Sequence, residues 1–287
     1  MSEEIVKYEF KHGLPIEFEI VDITELYRDK REMIIRPHRT GFYHIIWIQK
    51  GGTTHIIDFQ SVTAPANTIL FLNKDIVQMF NPEPFQGQAI LFTEAFFSKS
   101  DTDIKFLKEN VLFNDLFSIS KLELDSAGAS FEVLLTLMQE EALKAEDAYQ
   151  SGILKNFLHS FLLLAERERR KNGFLEVKKG ADKDYIILFR DLLEGNFKHQ
   201  KQVNFYASKL SVTEKRLNQA TSKILGKTVK QVIDERVMLE AKRLLAHTTD
   251  SIKEVGFTLG FEEPTNFIKY FKKHNSSTPF EFRENFL

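Results

Sequence analysis

The sequence predicts an α+β chain in two domains: a sandwich or small barrel of strands with helices after it, then a separate all-helical part. Three observations lead there. Residues 1 to about 98 carry short runs rich in β-branched and aromatic residues, separated by turn residues. From about Asp101 the apolar period lengthens to that of helices. The stretch Asn172–Lys183, with two glycines, many charges and little periodicity, then divides the helical half.

The strand runs are Phe42–Ile48, His55–Phe59, Ile69–Leu72 and Gln88–Phe92. Gly51-Gly52, Ala64-Pro65-Ala66-Asn67 and Asn81-Pro82-Glu83-Pro84 separate them. Short strands at this spacing suit a sandwich or barrel. Ile104, Leu107 and Lys108 begin a short helix that ends before Ser118. Ser130 caps a longer one with Phe131, Leu134, Leu135 and Met138 on one face. Another starts near Tyr149 and carries Ile153, Leu154, Phe157, Leu158, Phe161, Leu162 and Leu164 into the charged stretch Glu166–Lys171. The expected organisation is a first domain over 1–171, a linker over 172–183 and a second domain over 184–287.

Composition narrows the chemistry. With no cysteine, disulfides, thiolate catalysis and Cys-based zinc sites are excluded. The opening MSEEIVKYEF lacks the basic-then-apolar order of a secretory leader, and no uncharged stretch approaches the ~20 residues of a membrane helix. A cytoplasmic protein without a membrane partner is expected. The net charge of −2 hides an asymmetry: from Lys183 on, 18 basic residues face 13 acidic ones, whereas the rest holds 21 and 28. A basic C-terminal part joined to an acidic N-terminal part suits nucleic-acid contact at one end only.

Two segments of the C-terminal part have the pattern of a helix-turn-helix. The first spans 203–224. Val203, Ala207 and Leu210 share one helix face, Ser211-Val212 makes the turn, and Thr213 is a good N-cap. In the next helix Leu217, Thr221 and Ile224 point inward, leaving Lys215, Arg216, Asn218 and Gln219 outward near its N-terminal end. Amide and basic side chains placed there are of the types that read base edges. The second unit spans 251–274, with Ile252, Val255 and Leu259 inward, Gly256 at the close crossing and Gly260 ending the first helix. Phe267 and Phe271 anchor its second helix, whose outward residues are Glu263, Pro264, Thr265, Asn266 and Lys269. Between the units, Val229–Ala246 forms one amphipathic helix about 27 Å long at ~1.5 Å per residue. Major grooves on one face of B-DNA recur every ~34 Å, so such a connector allows both units to enter successive grooves.

These residues resemble the AraC/XylS family of bacterial transcriptional regulators over roughly Tyr185–Leu287. Ala241-Lys242-Arg243-Leu244-Leu245 matches the family's A-x-x-L-L helix. Ile252–Phe261 matches I-x-E-x-A-x-x-x-G-F, and Phe267–Arg283 matches F-x-x-x-F-K-K with T-P-x-x-[FY]-R. Gly226 fits the glycine that closes the first recognition helix. Gly256 stands where the family prefers alanine, at a helix cost of roughly 1 kcal/mol. Thr221 stands where phenylalanine is common, and Ser276 where glycine is usual. By position the resemblance implies base contacts from Lys215, Asn218 and Gln219, and from Pro264, Thr265 and Lys269, with Asn266 beside them. Arg216 and Lys272 would grip phosphate. Double-stranded operator DNA and RNA polymerase are the implied partners, and activation of transcription the implied effect.

The resemblance also implies that the N-terminal domain is a cupin-like β-barrel that binds a small-molecule effector, with helices that pair two protomers into a homodimer. Arg36-Pro37-His38 leading into FYHIIWIQKGG carries that likeness. Arg36, His38, Tyr43, Trp47 and His55 are the candidate effector residues, each equally at home in a plain barrel core or rim. The helix beginning near Tyr149 has the apolar stripe of a dimer interface, or of a helix packed on its own barrel. For a metal in the barrel the candidates are His38, His44 and His55, and Gln78 stands where related regulators often carry histidine. No metal, cofactor or catalytic set is expected. The alternatives are a cupin-type metal enzyme and an architectural protein that bends DNA without sequence choice. Lys178-Lys179 in the linker are read as solvated.

Overall fold

The computed structural model describes residues 5–10, 16–114, 119–124, 128–172 and 180–286. The chain divides into two compact units, one over 6–176 and one from 177 onward. Most of the expected linker, Lys178 and Lys179 included, lies outside the described residues.

The first unit runs β1 (Val6–Tyr8), β2 (Phe18–Asp22), α1 (Ile23–Ile34), β3 (His38–Thr40), β4 (Tyr43–Lys50), β5 (Thr53–Ile57), β6 (Gln60–Ala64), β7 (Thr68–Leu72), β8 (Gln78–Met79) and β9 (Gln86–Phe92). After these come α2 (Glu94–Phe97), α3 (Asp101–Glu109), β10 (Ser120–Glu123), α4 (Gly128–Ala142) and α5 (Gln150–Lys171). Among the described residues the strands form two five-stranded sheets, ordered β1-β3-β8-β5-β6 and β10-β7-β4-β9-β2. This is the cupin-like, sheet-rich domain expected from the sequence.

Strand β4 explains the long apolar run FYHIIWI. It is the middle strand of its sheet, paired antiparallel to β7 and β9. Both its faces are covered, so six consecutive residues from Tyr43 to Ile48 are buried. Tyr43, Ile45 and Trp47 join one core with Leu154, Leu158 and Phe161 of α5, while Ile46 and Ile48 join another with Ile57, Leu70 and Leu72.

Not all of residues 1–98 is strand: α1 interrupts it. Asp22 caps this helix, its carboxylate accepting from Thr24 N at 2.7 Å and Glu25 N at 3.2 Å. Ile23, Tyr27 and Ile34 then bury in the core that holds Ile46 and Ile48. Strand β10 likewise extends the β-structure beyond residue 98 by pairing with β7.

The second unit is all helical: α6 (Ala181–Asn196), α7 (Val203–Lys209), α8 (Glu214–Leu225), α9 (Val229–His247), α10 (Ile252–Thr258), α11 (Pro264–His274) and α12 (Pro279–Glu284). Its core gathers Phe189, Tyr206, Leu217, Ile233, Val237, Val255, Phe267 and Phe271. Helix α9 packs against α8, α10, α11 and α12. Three helices start with a capping box, Thr228 with Gln231, Ser251 with Glu254 and Thr278 with Glu281.

Candidate nucleic-acid interface

Helices α7 and α8 make the first helix-turn-helix. Ala207 is buried at the crossing, and Val212 N donates to its carbonyl at 3.0 Å. Ser211 turns the chain at φ 55°, a left-handed conformation that costs a residue with a side chain roughly 1–2 kcal/mol. Thr213 Oγ1 caps α8 by accepting from Arg216 N at 3.1 Å, and Leu217 and Thr221 bury inward. Gly226 closes the helix at φ 66°. On the opposite face Lys215, Gln219 and Ser222 are exposed at helical spacing, so they form one polar stripe.

The flanks of α8 are already engaged. Arg216 Nη2 lies 2.6 Å from Asp182 Oδ1, with its guanidinium 4.8 Å from the Tyr185 ring. Asn218 Oδ1 accepts from Val229 N at 3.0 Å, and its Nδ2 donates to the Glu214 carbonyl at 3.0 Å. Asn218 therefore fastens α8 to the first turn of α9 and does not stand in the outward stripe, where helix phase alone had put it. Ser222 and Lys223 were missed in the sequence, although continuing the stripe two turns from Lys215 reaches both.

Helices α10 and α11 make the second unit. Gly260 turns at φ 72°, and a Cβ there would collide with the Lys198 carbonyl. Gly256 lies against Phe267, where an added Cβ would sit 3.1 Å from the Phe267 Cβ. That close approach accounts for glycine where the family prefers alanine. Pro264 occupies the first turn of α11, where its missing N–H costs nothing. Thr265, Asn266, Lys269, Lys272 and Lys273 are exposed, and Pro264 is half-buried. Lys269, Lys272 and Lys273, like Lys215 in the first unit, form no salt bridge among the described residues.

Lys201 ties the two units together. Its Nζ donates to the Lys198 carbonyl at 2.7 Å and to the Leu259 carbonyl at the end of α10 at 2.6 Å. Burial, with Lys230 nearby, pushes its pKa down to about 8.

In the N-terminal unit the five candidate effector residues do not share a site. His38 and His55 are buried between the sheets, together with His44 and Gln78. Gln78 bridges two rings: its Oε1 is 3.0 Å from His55 Nε2 and its Nε2 is 3.3 Å from His44 Nε2. His38 Nδ1 donates to the Arg36 carbonyl at 2.9 Å. Tyr43 and Trp47 lie on the other face of β4, in the core under α4 and α5, because successive strand residues alternate faces. The Arg36 side chain is exposed and pairs with Glu32 at 3.6 Å. Desolvation pushes the pKa of His44 down to about 3 and of His55 to about 4, so both rings are neutral at pH 7. His55 Nδ1 and Trp47 Nε1 are buried and have no hydrogen-bond partner among the described residues.

Comparison with known proteins decides the family. A model described as an AraC-like ligand binding domain matches residues 22–158, and one described as a helix-turn-helix domain matches 206–285. The chain is 30% identical over 84 residues to the probable transcription factor PqrA of Proteus vulgaris, covering 29% of this chain and 69% of that one. It belongs to the AraC family. Like other members it is a helix-turn-helix transcriptional regulator with an N-terminal ligand-binding domain. Among AraC-family relatives it is 21% identical over 255 residues to the HTH-type transcriptional activator RhaS of Pectobacterium carotovorum subsp. carotovorum (strain PC1), 86% of each chain. It is 22% identical over 251 residues, 84% of each, to the Msm operon regulatory protein of Streptococcus mutans. Among solved structures ToxT from Vibrio cholerae is 14% identical, covering 93% of this chain and 98% of that chain at a TM-score of 0.46. Among the described residues no helix is long and apolar enough to cross a membrane.

Proposed function

We propose that the chain is a sequence-specific activator of transcription whose helices α8 and α11 enter successive major grooves of operator DNA. The observation that carries this is the pair of outward stripes, Lys215-Gln219-Ser222 and Thr265-Lys269-Lys272, on helices flanking one 19-residue connector. At ~1.5 Å per residue α9 is about 28 Å long, which suits the ~34 Å recurrence of the groove. Lys215 and Gln219 read bases in the first unit, with Thr265 and Asn266 in the second. Arg216, Lys269 and Lys272 grip phosphate, Pro264 shapes the first turn of α11, and Asn218 supports α8 from behind.

In this reading residues 1–171 sense a small molecule and pair two protomers through α4 and α5, and the linker passes the change to 184–287. Exposed Val133 and Leu137 on α4 and Leu163 on α5 support the pairing. The effector site lies between the sheets beside His38, His44, His55 and Gln78, where His55 Nδ1, with no hydrogen-bond partner among the described residues, offers an acceptor. The regulator works in the cytoplasm with RNA polymerase as its partner and has no catalytic activity of its own.

Selection of random duplex DNA by the full chain at about 150 mM salt tests the reading. The expected result is two short fixed blocks about one helical turn apart, repeated where two protomers bind. A single block would remove base reading from α11. No enrichment, with or without candidate effectors, would sink the proposal.

A further inference from the structure

One carboxylate occupies the flank of recognition helix α8. Asp182 Oδ1 holds Arg216 Nη2 at 2.6 Å and Asp182 Oδ2 holds Lys223 Nζ at 2.7 Å. Arg216 and Lys223 are seven positions apart, so about 10 Å of helix separates their backbones and both side chains converge on the same anion. The Tyr185 ring backs the guanidinium. Asp182 lies in the first turn of α6, where the helix dipole favours a negative charge. The two cations hold its carboxyl below the usual range.

A recognition helix seated in a major groove has phosphates along its sides. Two oxygens, each accepting from a separate cation, are what a DNA phosphate would offer to the same pair. We infer that Asp182 is a built-in competitor for DNA phosphate: it occupies Arg216 and Lys223 in the free protein and thereby sets how strongly the first unit holds any duplex. This rests on the reading of α8 as a DNA-contacting helix. On that basis contact by this flank exchanges one anion for another, so its net gain is small. The outward stripe of Lys215, Gln219 and Ser222 lies off this flank, so the choice of sequence is left untouched.

The test uses the full chain, the duplex recovered by selection and a scrambled duplex, titrated over a range of salt. Asp182→Asn, and Asp182→Ser as a second neutral variant, should bind both duplexes about three- to tenfold more tightly, with their ratio unchanged. The slope of log K against log salt should steepen by about 0.9 for each phosphate gained. Asp182→Glu, which keeps the charge, should bind like wild type. Adding Asp182→Asn to an Arg216→Met/Lys223→Met background should produce no gain. Unchanged affinity and slope, or weaker binding, would make Asp182 a strut between α6 and α8 and overturn the competitor. A change confined to the selected duplex would mean Asp182 aims Arg216 at a base, which also overturns it. If the wild type binds DNA and the variants match it, only this inference fails. If the wild type binds no duplex, the reading of α8 fails with it.

Discussion

In the first helix-turn-helix the chain turns through Ser211 at φ 55°, and in the second through Gly260 at φ 72°. The two turns share their bonding: Val212 N reaches Ala207 O and Phe261 N reaches Gly256 O, each at 3.0 Å. Beyond that the units part. Positions 210–213 join α7 to α8, whereas 259–263, one residue more, join α10 to α11. Counted from the helix start, Leu217 and Thr221 correspond to Phe267 and Phe271 on the inward side. On the outward side Lys215, Gln219 and Ser222 correspond to Thr265, Lys269 and Lys272. One scaffold thus presents an amide and a hydroxyl with one lysine in the first unit, and a mostly cationic face in the second. The first face suits base edges, and the lysines of the second suit phosphate.

Paired substitutions at corresponding positions test that difference. The largest contrast is between Gln219→Ala and Lys269→Ala. Gln219→Ala should cost about 1–3 kcal/mol on the selected site and relax preference at one base pair. Lys269→Ala should weaken every duplex alike and lower the salt slope by about one. Binding titrations on single-base variants of the site distinguish them, and the opposite pattern would reverse the assignment of roles.

Next comes Asn218 against its counterpart Ile268. Asn218→Ala leaves the first N–H of α9 without its cap and should lower unfolding stability by about 1–2 kcal/mol. Ile268 is partly exposed, and Ile268→Ala should stay within about 0.5 kcal/mol of wild type. Equal melting temperatures for the two variants would remove the fastening role of Asn218.

Ala207 and Gly256 occupy the same crossing position. Ala207→Gly should cost about 1 kcal/mol from helix propensity. Gly256→Ala should fail to return that amount, because its Cβ meets Phe267 at 3.1 Å. Denaturant unfolding that showed the full gain would mean the helices have room.

The last test needs only a change of pH and concerns Lys201, which links the units. Its folded pKa of about 8 lies below the ordinary 10.5, so the unfolded chain holds the proton more tightly. Stability should therefore rise with pH between about 8 and 10.5 and be flat below, and Lys201→Met should lack that rise. Identical pH profiles for wild type and variant would remove the desolvation of Lys201.

The C-terminal unit was legible in the sequence because its signals are local: a cap at Thr213, glycines after helices, apolar residues at helical spacing. Helix phase found Lys215 and Gln219 but not the fate of Asn218, whose partner Val229 lies in the following helix. Arg216 was named as a phosphate contact, yet its partner Asp182 comes from the edge of the expected linker. In the N-terminal unit the strand runs were plain and α1 was not, since its capping Asp22 is itself the last residue of β2. The candidate effector residues were drawn mostly from one stretch of chain. Alternation along β4 then sent Tyr43 and Trp47 to one face and His44 to the other. His44, His55 and Gln78 come from three strands, and only sheet pairing brings them together.

The bridge between His44 and His55 has a consequence for how the N-terminal unit can be observed. With Gln78 accepting from one ring and donating to the other, the ring protons sit on His55 Nε2 and His44 Nδ1. Both rings are sealed from water, so these protons exchange slowly with solvent and should appear as separate, far-downfield resonances. Any molecule that enters between the sheets must disturb at least one of them. The unit therefore carries its own spectroscopic probe for a ligand, at natural abundance and without a label.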